Sequence, residues 1–188
     1  MRVKIEELEE FYWNIKKPLE WLTKTGKGIY MPSKPGILFE ASKKSELRPF
    51  FSRLTNKNVL LDAGSGDGLS TIFFGYFKTD IIGIEYDDRL FEFSKTFLEM
   101  IKNRFPIKAN ISFICDDFMK FDFNKVDLIY YYEETDENFI TLADKFQSDA
   151  KDCTLMLVLH DPTHKKADLN RIGYLEIPPE YCFSLYKK

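Results

Sequence analysis

Runs of apolar residues alternate, over most of the chain, with segments whose apolar positions recur every three or four residues. The uninterrupted runs predict strands buried on both sides; they are NVLLDAG, DIIGIEY, ANISFICDD, KVDLIYYYE and CTLMLVLHD. The periodic segments predict amphipathic helices; they are GLSTIFFGYF, DRLFEFSKTFLEMIKNRF and TDENFITLADKFQSDA. Buried strands that alternate with helices indicate an α/β fold in which helices cover both faces of a parallel sheet.

The last part of the chain has a different pattern. The sequence IGYLEIPPEYCFSLYKK contains two strand-like segments separated by Pro178 and Pro179, and prolines in that position favour a turn. A closing hairpin makes the last strand antiparallel. The predicted fold is therefore a doubly wound, mostly parallel seven-stranded sheet with an antiparallel last strand, preceded by N-terminal helices.

The beginning of the chain has no strand pattern. Residues 3–23 have the apolar spacing of an amphipathic helix, and residues 26–36 contain three glycines and two prolines that predict a loop. A second helix is predicted over residues 37–54. We therefore divide the chain into an N-terminal helical and loop flank, residues 1–36, and a main domain, residues 37–188.

The composition is that of a water-soluble globular protein. Apolar residues make up 44% of the 188 residues and charged residues 30%. No apolar run approaches the roughly 20 residues of a membrane span, and the sequence MRVKIEELEEF is too acidic for a signal peptide. We therefore expect a cytoplasmic protein that does not enter a membrane.

Charge is unevenly distributed along the chain. The net charge of −3 argues against nucleic-acid binding by bulk charge, but residues 1–57 hold 12 Lys and Arg against 7 Asp and Glu. This basic flank could face an acidic partner, nucleic acid included. Its lysines are scattered, however, which is typical of an ordinary solvated surface.

The cysteines and histidines do not form a metal-binding pattern. No C-x-x-C pair is present, and we expect Cys115, Cys153 and Cys182 to be buried structural thiols. His160 and His164 have the spacing of a helical metal pair, but the proline between them opposes a helix. We expect no metal, and His160 is either a hydrogen-bonded strand-end residue or a substrate contact.

The glycine-rich sequence DAGSGDG follows the first predicted strand and points to a ligand. Its glycines, Gly64, Gly66 and Gly68, have the spacing G-x-G-x-G, whereas a dinucleotide site has G-x-G-x-x-G. Asp62 precedes them, and its carboxylate would repel a pyrophosphate. A ligand with cationic groups and no phosphate fits better, and S-adenosylmethionine has this character.

Carboxylates also end the second and third predicted strands. Glu85 offers two adjacent oxygens to the hydroxyls of a ribose, a feature shared by dinucleotide sites. At the end of the third strand, Asp116 or Asp117 could accept a hydrogen bond from adenine while Phe118 packs on the ring. Taken singly, each acid could instead be a helix cap or a solvated strand end; together they favour an adenosine site.

The segments LLDAGSGDG, IIGIEYD and FICDDF resemble the successive cofactor motifs of class I, Rossmann-like S-adenosylmethionine-dependent methyltransferases. The resemblance covers roughly residues 57–188. It implies that the following residues line the methionine and ribose: Asp62, Gly64, Ser65, Gly66 and Gly68. It also implies that Glu85, with Tyr86 beside it, holds the ribose, and that Asp116 or Asp117 with Phe118 holds the adenine.

A narrower resemblance involves the segments YMPSKPGIL, DLIYYY and VLHD, which look similar to small archaeal protein-lysine methyltransferases related to the Dot1-like group. In that group a Tyr-x-Pro-Ser or -Thr segment crosses the cofactor, and a tyrosine of the fourth strand flanks the transfer site. By match, these residues are Tyr30, Pro32, Ser33 and Tyr132. The chain departs from the group after Tyr132, where it has EETDE, and it carries about 25 extra N-terminal residues.

The end of the fourth predicted strand, YYYEE, is a candidate acceptor site. Strand alternation places Tyr130 and Tyr132 on one face and Tyr131 on the other. A phenol there could orient an acceptor nitrogen, and Glu133 or Glu134 could attract its cation and take its proton. Of these we single out Tyr132 and Glu133 as catalytic candidates, although core packing and a solvated turn are the alternatives.

The acceptor itself stays open. The chain lacks the Asn/Asp-Pro-Pro-aromatic segment that amide and adenine-N6 methyltransferases usually carry at this site, which argues against those two acceptors. We favour an amine nitrogen of a protein, a lysine, as the acceptor. RNA or a small molecule is the alternative. A non-catalytic S-adenosylmethionine-binding module and a nicotinamide-dependent enzyme are the competing classes of function.

Overall fold

A seven-stranded sheet forms the centre of the computed structural model, which describes residues 7, 10–11, 35–77, 79–107, 109–132, 135–160, 169–177 and 181–188. The strands are β1 Val59–Ala63, β2 Asp80–Glu85, β3 Ile111–Cys115, β4 Leu128–Tyr132, β5 Leu155–His160, β6 Arg171–Ile177 and β7 Tyr181–Lys187.

The strand order is β3-β2-β1-β4-β5-β7-β6. Strands β1 to β5 pair in parallel, and β7 pairs antiparallel with both β5 and β6. This confirms the predicted mostly parallel sheet with an antiparallel last strand. The chain reverses its direction of progress across the sheet between β1 and β4, and in such sheets the crevice at the carboxyl ends of these strands is the usual ligand site.

The helices that pack on the sheet are α1 Pro35–Ser42, α2 Arg48–Phe51, α3 Leu69–Gly75, α4 Asp88–Arg104 and α5 Asp136–Asp149. The prediction of one helix over residues 37–54 was wrong, because this segment is divided into α1, a 3₁₀ turn at Ser45–Leu47 and the short α2. Pro49 lies in the first turn of α2, where a proline is tolerated, whereas inside a continuous helix it would remove a backbone hydrogen bond.

Hydrophobic residues on both faces of the sheet form two separate clusters, as strands buried on both sides require. On one face, Leu60 and Tyr130 pack with α1, α2 and α3. On the other face, Leu61 and Tyr131 pack with α5. The alternation predicted for the tyrosines of β4 is therefore confirmed.

The described part of the N-terminal flank contacts α4. The Phe11 ring stacks on Phe97 with centroids 6.5 Å apart and meets the edge of Phe105 at 6.0 Å. The guanidinium of Arg104 lies 4.9 Å from the same ring. The predicted loop over residues 26–36 lies outside the described residues up to residue 34, and its last two residues belong to α1 instead.

Two of the three cysteines differ from the prediction. Cys182 is buried, but Cys115 and Cys153 are exposed. Cys115 ends β3, which lies at the edge of the sheet, and Cys153 lies in a turn with φ of 69°. Apolar neighbours in the sequence therefore did not bury these thiols.

Of the helices that the structure describes, none combines the length and the apolar character that a membrane span needs.

Candidate functional site

The turn between β1 and α3 depends on three glycines in the left-handed region of backbone conformation. The φ angles are 74° at Gly64, 54° at Gly66 and 79° at Gly68, and residues with a Cβ rarely adopt such values. The turn is fixed to β2 because the amides of Gly64 and Ser65 both donate to the carbonyl of Ile84, at 3.0 and 2.9 Å. This places the glycine backbone at the carboxyl end of the sheet.

The glycines at the two ends of the turn serve different purposes. A Cβ on Gly68 would lie 2.7 Å from Cβ of Ser94 and 2.8 Å from the Phe113 ring, so its absence lets α4 and β3 pack against the turn. A Cβ on Gly64 would have its nearest neighbour, the Phe118 ring, 4.0 Å away. Close packing therefore does not require a glycine at position 64; its positive φ does.

Glu85 joins the second strand to this turn. Its side-chain Oε2 accepts a hydrogen bond from the amide of Gly66 at 2.8 Å, and Oε1 accepts one from the amide of Asp87 at 2.9 Å. The residue is only 5% exposed, and burial raises the pKa of its carboxyl despite these two donors. Both oxygens retain lone pairs that can accept further hydrogen bonds, because each carboxylate oxygen has two.

Asp62 is buried beneath the turn, 2% exposed. Its Oδ2 accepts a hydrogen bond from the Thr71 hydroxyl of α3 at 2.5 Å. Burial raises the pKa of Asp62 to about 7, the negative charges of Asp67 and Glu85 add to the increase, and the Thr71 hydrogen bond opposes it. Asp62 is thus neither a surface acid nor a helix cap, the two alternatives that its sequence position left open.

Two residues inside the turn add polar groups. Ser65 is 3% exposed, and its hydroxyl has no hydrogen-bond partner among the described residues. Asp67 is fully buried, and its Oδ1 accepts a hydrogen bond from the amide of Leu69. Asp67 was not among the predicted site residues, although an acid between two glycines just before a helix is a typical capping residue.

The acids that follow β3 lie on the surface. Asp116 Oδ1 accepts hydrogen bonds from the Asp117 amide and from Lys120 Nζ, and the lysine lowers the pKa of this carboxyl. Asp117 caps the 3₁₀ turn Phe118–Lys120 by accepting from the amide of Met119 at 2.8 Å. The capping role that we left open is thus present at Asp117.

Aromatic residues follow both β2 and β3. The Phe118 ring lies 5.9 Å from the ring of Tyr131, centroid to centroid. Tyr86 follows Glu85 and is 71% exposed. Both Phe118 and Tyr86 are aromatic surfaces on which a planar ligand group could pack.

The fourth strand places Tyr132 at its carboxyl end, half-buried against the cluster that contains Tyr130. Tyr130 lies opposite Asp62 in the β1–β4 register. Burial raises the pKa of Tyr130 well above its usual value, the charge of Asp62 adds to this, and a hydrogen bond from Ser70 opposes it. The other candidates, Glu133, Glu134 and Tyr30, lie outside the described residues.

His160 ends β5 and is buried. Its Nε2 lies 2.9 Å from the Ser184 hydroxyl of β7, so it is a hydrogen-bonded strand-end histidine. His164 lies outside the described residues. Among the residues that the structure does describe, no three His, Cys, Asp or Glu side chains are grouped as metal ligands.

The arrangement has a definite chemical character. Three buried carboxyl groups, those of Asp62, Asp67 and Glu85, are close enough to affect the ionisation of Asp62. Carboxylates accept hydrogen bonds from hydroxyl and amino groups and attract cations, and they repel phosphates. The site is therefore suited to a hydroxylated, cationic ligand.

Comparison with solved structures identifies the fold. The first similar structure is an RNA methyltransferase from Salinibacter ruber in complex with S-adenosyl-L-homocysteine. It has a TM-score of 0.64 and 15% sequence identity, over 84% of this chain and 93% of that one. Magnesium protoporphyrin IX methyltransferase from Synechocystis, solved with bound S-adenosylmethionine, has a TM-score of 0.61 and 11% identity, over 99% and 98%.

A putative methyltransferase from Escherichia coli is similar in the same way, with a TM-score of 0.62 and 14% identity over 85% of this chain and 88% of that one. No protein-family model matches the chain, and no curated protein is significantly similar in sequence. The likeness therefore concerns the fold, which this chain shares with these methyltransferase structures over most of its length.

Proposed function

We propose that the protein is an S-adenosylmethionine-dependent methyltransferase and that the acceptor is an amine nitrogen of a protein, a lysine side chain. One observation supports the first part. Asp62, the three-glycine turn and Glu85 lie together at the carboxyl ends of β1 and β2, in a sheet that has the fold of known methyltransferases. The buried acids favour a cationic ligand without phosphate over a dinucleotide.

The residues of the cleft fit this cofactor. The hydroxyl of Ser65 is buried without a partner among the described residues, and a Cβ on Gly64 would meet no atom closer than the Phe118 ring at 4.0 Å. In the proposed assignment, the glycine turn and Asp62 hold the methionine and ribose end. Glu85 accepts hydrogen bonds from the ribose hydroxyls, with Tyr86 beside it.

In this proposal the adenine binds to residues of the loop that follows β3. Asp116 or Asp117 accepts a hydrogen bond from the adenine amino group, and Phe118 packs on the ring. Asp116 is already paired with Lys120, and Asp117 uses one oxygen as a cap. Each carboxylate nevertheless has a second oxygen to offer.

When bound, the cofactor supplies a methyl group on a sulfonium, so that no metal or covalent nucleophile is required. The work of the protein is then to orient the acceptor, exclude water and receive the proton of the amine. A lysine with a pKa near 10.4 must lose that proton before its nitrogen can attack. In this proposal Tyr132, at the carboxyl end of β4, orients the nitrogen, and Glu133, outside the described residues, accepts the proton.

The surroundings of the cleft favour an amine over a nucleic acid. The carboxyl ends of β1, β2 and β3 carry four acids: Asp62, Glu85, Asp116 and Asp117. The described basic residues that follow β2 and β3 most closely in sequence are Arg89 and Lys120. Each already forms an ion pair, Arg89 with Asp87 and Lys120 with Asp116. The acidic carboxyl ends of these strands should attract a lysine side chain and repel the phosphate backbone of a nucleic acid.

RNA stays a second candidate acceptor. Its support is that one of the similar structures is described as an RNA methyltransferase and another, from Streptococcus thermophilus, as an rRNA methylase. The basic composition of residues 1–57 is compatible with such a partner.

Calorimetry and methyl transfer test the proposal together. S-adenosylmethionine should bind and NAD should not; the reverse result would overturn the assignment. A cell extract incubated with methyl-labelled cofactor and the protein should then contain label that protease removes and nuclease leaves. Label removed by nuclease would establish the RNA alternative instead.

The variant Tyr132→Phe separates an enzyme from a binding module. Loss of the phenol oxygen should reduce the rate of methyl transfer at least about tenfold, since small errors of orientation are costly, while cofactor affinity stays within about twofold. Tyr174→Phe is the control and should keep the wild-type rate. It removes the hydroxyl of a different tyrosine, on β6, that donates a hydrogen bond to Glu176. Equal rates in wild type and Tyr132→Phe would remove Tyr132 from the mechanism.

A further inference from the structure

The carboxyl group of Asp62 lies in surroundings that oppose its ionisation. It is almost fully buried, and its hydrogen-bond donors, the hydroxyl and the backbone amide of Thr71, come from one neutral residue. An ionised carboxylate in such a place is costly unless a cation or several donors compensate it. Among the described residues, no lysine, arginine or histidine forms an ion pair with Asp62.

The titratable groups that face Asp62 are themselves acids. Asp67 approaches from the glycine turn, Glu85 from the end of β2 and Tyr130 from β4. Thr71 approaches from α3 and is neutral. Each ionised neighbour therefore makes a negative charge on Asp62 less favourable, and burial raises its pKa to about 7.

We propose that Asp62 selects the ligand by its positive charge: the carboxyl group is protonated in the empty site and loses its proton to solvent when a cationic adenosine compound binds. The inference rests on the proposed function, because it takes S-adenosylmethionine as the ligand. It adds a proton to the binding equilibrium and identifies Asp62 as a specificity-determining residue.

Binding changes the positive charge that neutralises the Asp62 carboxylate. In the empty site the proton neutralises Asp62. A bound ammonium or sulfonium supplies the positive charge instead, in surroundings of low dielectric constant where the attraction is strong. A neutral adenosine compound offers no such charge, so that Asp62 keeps its proton and this contribution to affinity is missing.

Calorimetry in two buffers of different ionisation enthalpy counts the protons released on binding. At pH 6.5, S-adenosylmethionine should release most of one proton from the wild-type protein, because this pH lies below the pKa of about 7. Methylthioadenosine, which lacks the amino-acid end and the sulfonium, should release none. Equal proton release by the two ligands would contradict the inference.

The variant Asp62→Asn should bind S-adenosylmethionine without proton release, while Asp144→Asn, which removes an exposed acid of α5, should behave as wild type. Release of the same proton from Asp62→Asn would assign it to another group and overturn the inference. Circular dichroism verifies that both variants fold.

A second measurement needs no variant. The dissociation constant of wild type for S-adenosylmethionine should fall nearly tenfold from pH 5.5 to 6.5 and level off as the pH passes about 7, as linkage of one proton requires. A flat profile with tight binding would overturn the inference and leave the proposed function intact. Absence of binding at every pH would overturn both.

Discussion

The pKa of Asp62 has a consequence for stability in the absence of ligand. In the unfolded chain this group loses its proton near pH 3.8, whereas in the folded protein it does so near pH 7. Between these values the folded state holds more protons, so its stability falls as pH rises. We expect Asp62→Asn to remove this part of the pH dependence, to keep the hydrogen bond from Thr71, and to be more stable than wild type at pH 7.5 by up to a few kcal/mol.

Urea denaturation at pH 5 and pH 7.5 checks this prediction. The difference between wild type and Asp62→Asn should be larger at pH 7.5, where the native carboxyl is ionised at the expense of stability. Asp144→Asn serves as the control for loss of one charge. A difference that is the same at both pH values would show that Asp62 is ionised normally.

The two outer glycines of the turn allow a matched comparison. Gly64→Ala and Gly68→Ala both place a Cβ on a residue with positive φ, at a cost of about 1–2 kcal/mol. Only at Gly68 does that Cβ also meet atoms of Ser94 and Phe113 closer than 3 Å. Gly68→Ala should therefore destabilise the protein more than Gly64→Ala, as measured by urea denaturation, and equal losses would show that α4 can move aside.

For single residues, the sequence predicted which positions belong to the ligand turn more reliably than it predicted whether their side chains are buried. The G-x-G-x-G spacing predicted a turn with close backbone approach, and the structure has positive φ at all three glycines. The sequence did not predict that Asp62 and Asp67 are buried while Asp116 and Asp117 are exposed. All four lie at or just beyond the carboxyl end of an apolar strand, and they are buried at the central strand β1 but exposed at the edge strand β3.

Helix α5 illustrates how a single element is delimited. Thr135 caps its first turn, because its hydroxyl accepts a hydrogen bond from the Asn138 amide at 3.3 Å. Thr135→Ala should cost about 1 kcal/mol of stability. Thr141→Ala, in the exposed middle of the same helix, should be neutral or slightly stabilising, because alanine is the better helix former.

Thermal denaturation of the two threonine variants is the measurement. A fall in melting temperature for Thr135→Ala that Thr141→Ala does not share supports the cap. If both variants melt alike, the hydroxyl of Thr135 contributes nothing that an alanine cannot replace.

Elements with long, regular periodicity were predicted most reliably. Helix α4 was expected over the sequence that starts at Asp88, and it covers Asp88–Arg104. The segment 37–54 was predicted wrongly because its apolar residues fit one helix throughout. Pro49 instead favours the start of a separate helix, α2. The periodicity reports which residues are buried, but not whether the backbone between them is continuous.

At the scale of the whole molecule, Phe11 connects the N-terminal flank to the main domain. Its ring contacts Phe97 and Phe105 of the cluster between α3 and α4. Phe11→Ala should reduce the free energy of unfolding by about 1–2 kcal/mol, less than for a fully buried phenylalanine because the ring is half-buried.

Urea denaturation of Phe11→Ala checks this contact, and Ile172→Ala, a truncation of an exposed apolar side chain on β6, is the control. A change no larger than that of the control would mean that residues 1–36 are an independent flank, as their separation in our domain division suggests.

The sequence by itself determined the class of fold, the glycine turn and the placement of acids and aromatics at successive strand ends. These features follow from local rules: apolar periodicity selects strand or helix, and only glycine adopts positive φ without strain. The tertiary structure decided the strand order with β7 between β5 and β6, the exposure of Cys115 and Cys153, and the grouping of Asp62, Asp67 and Glu85. Burial and electrostatic surroundings are set by residues distant along the chain, and no local pattern records which distant residues will be neighbours.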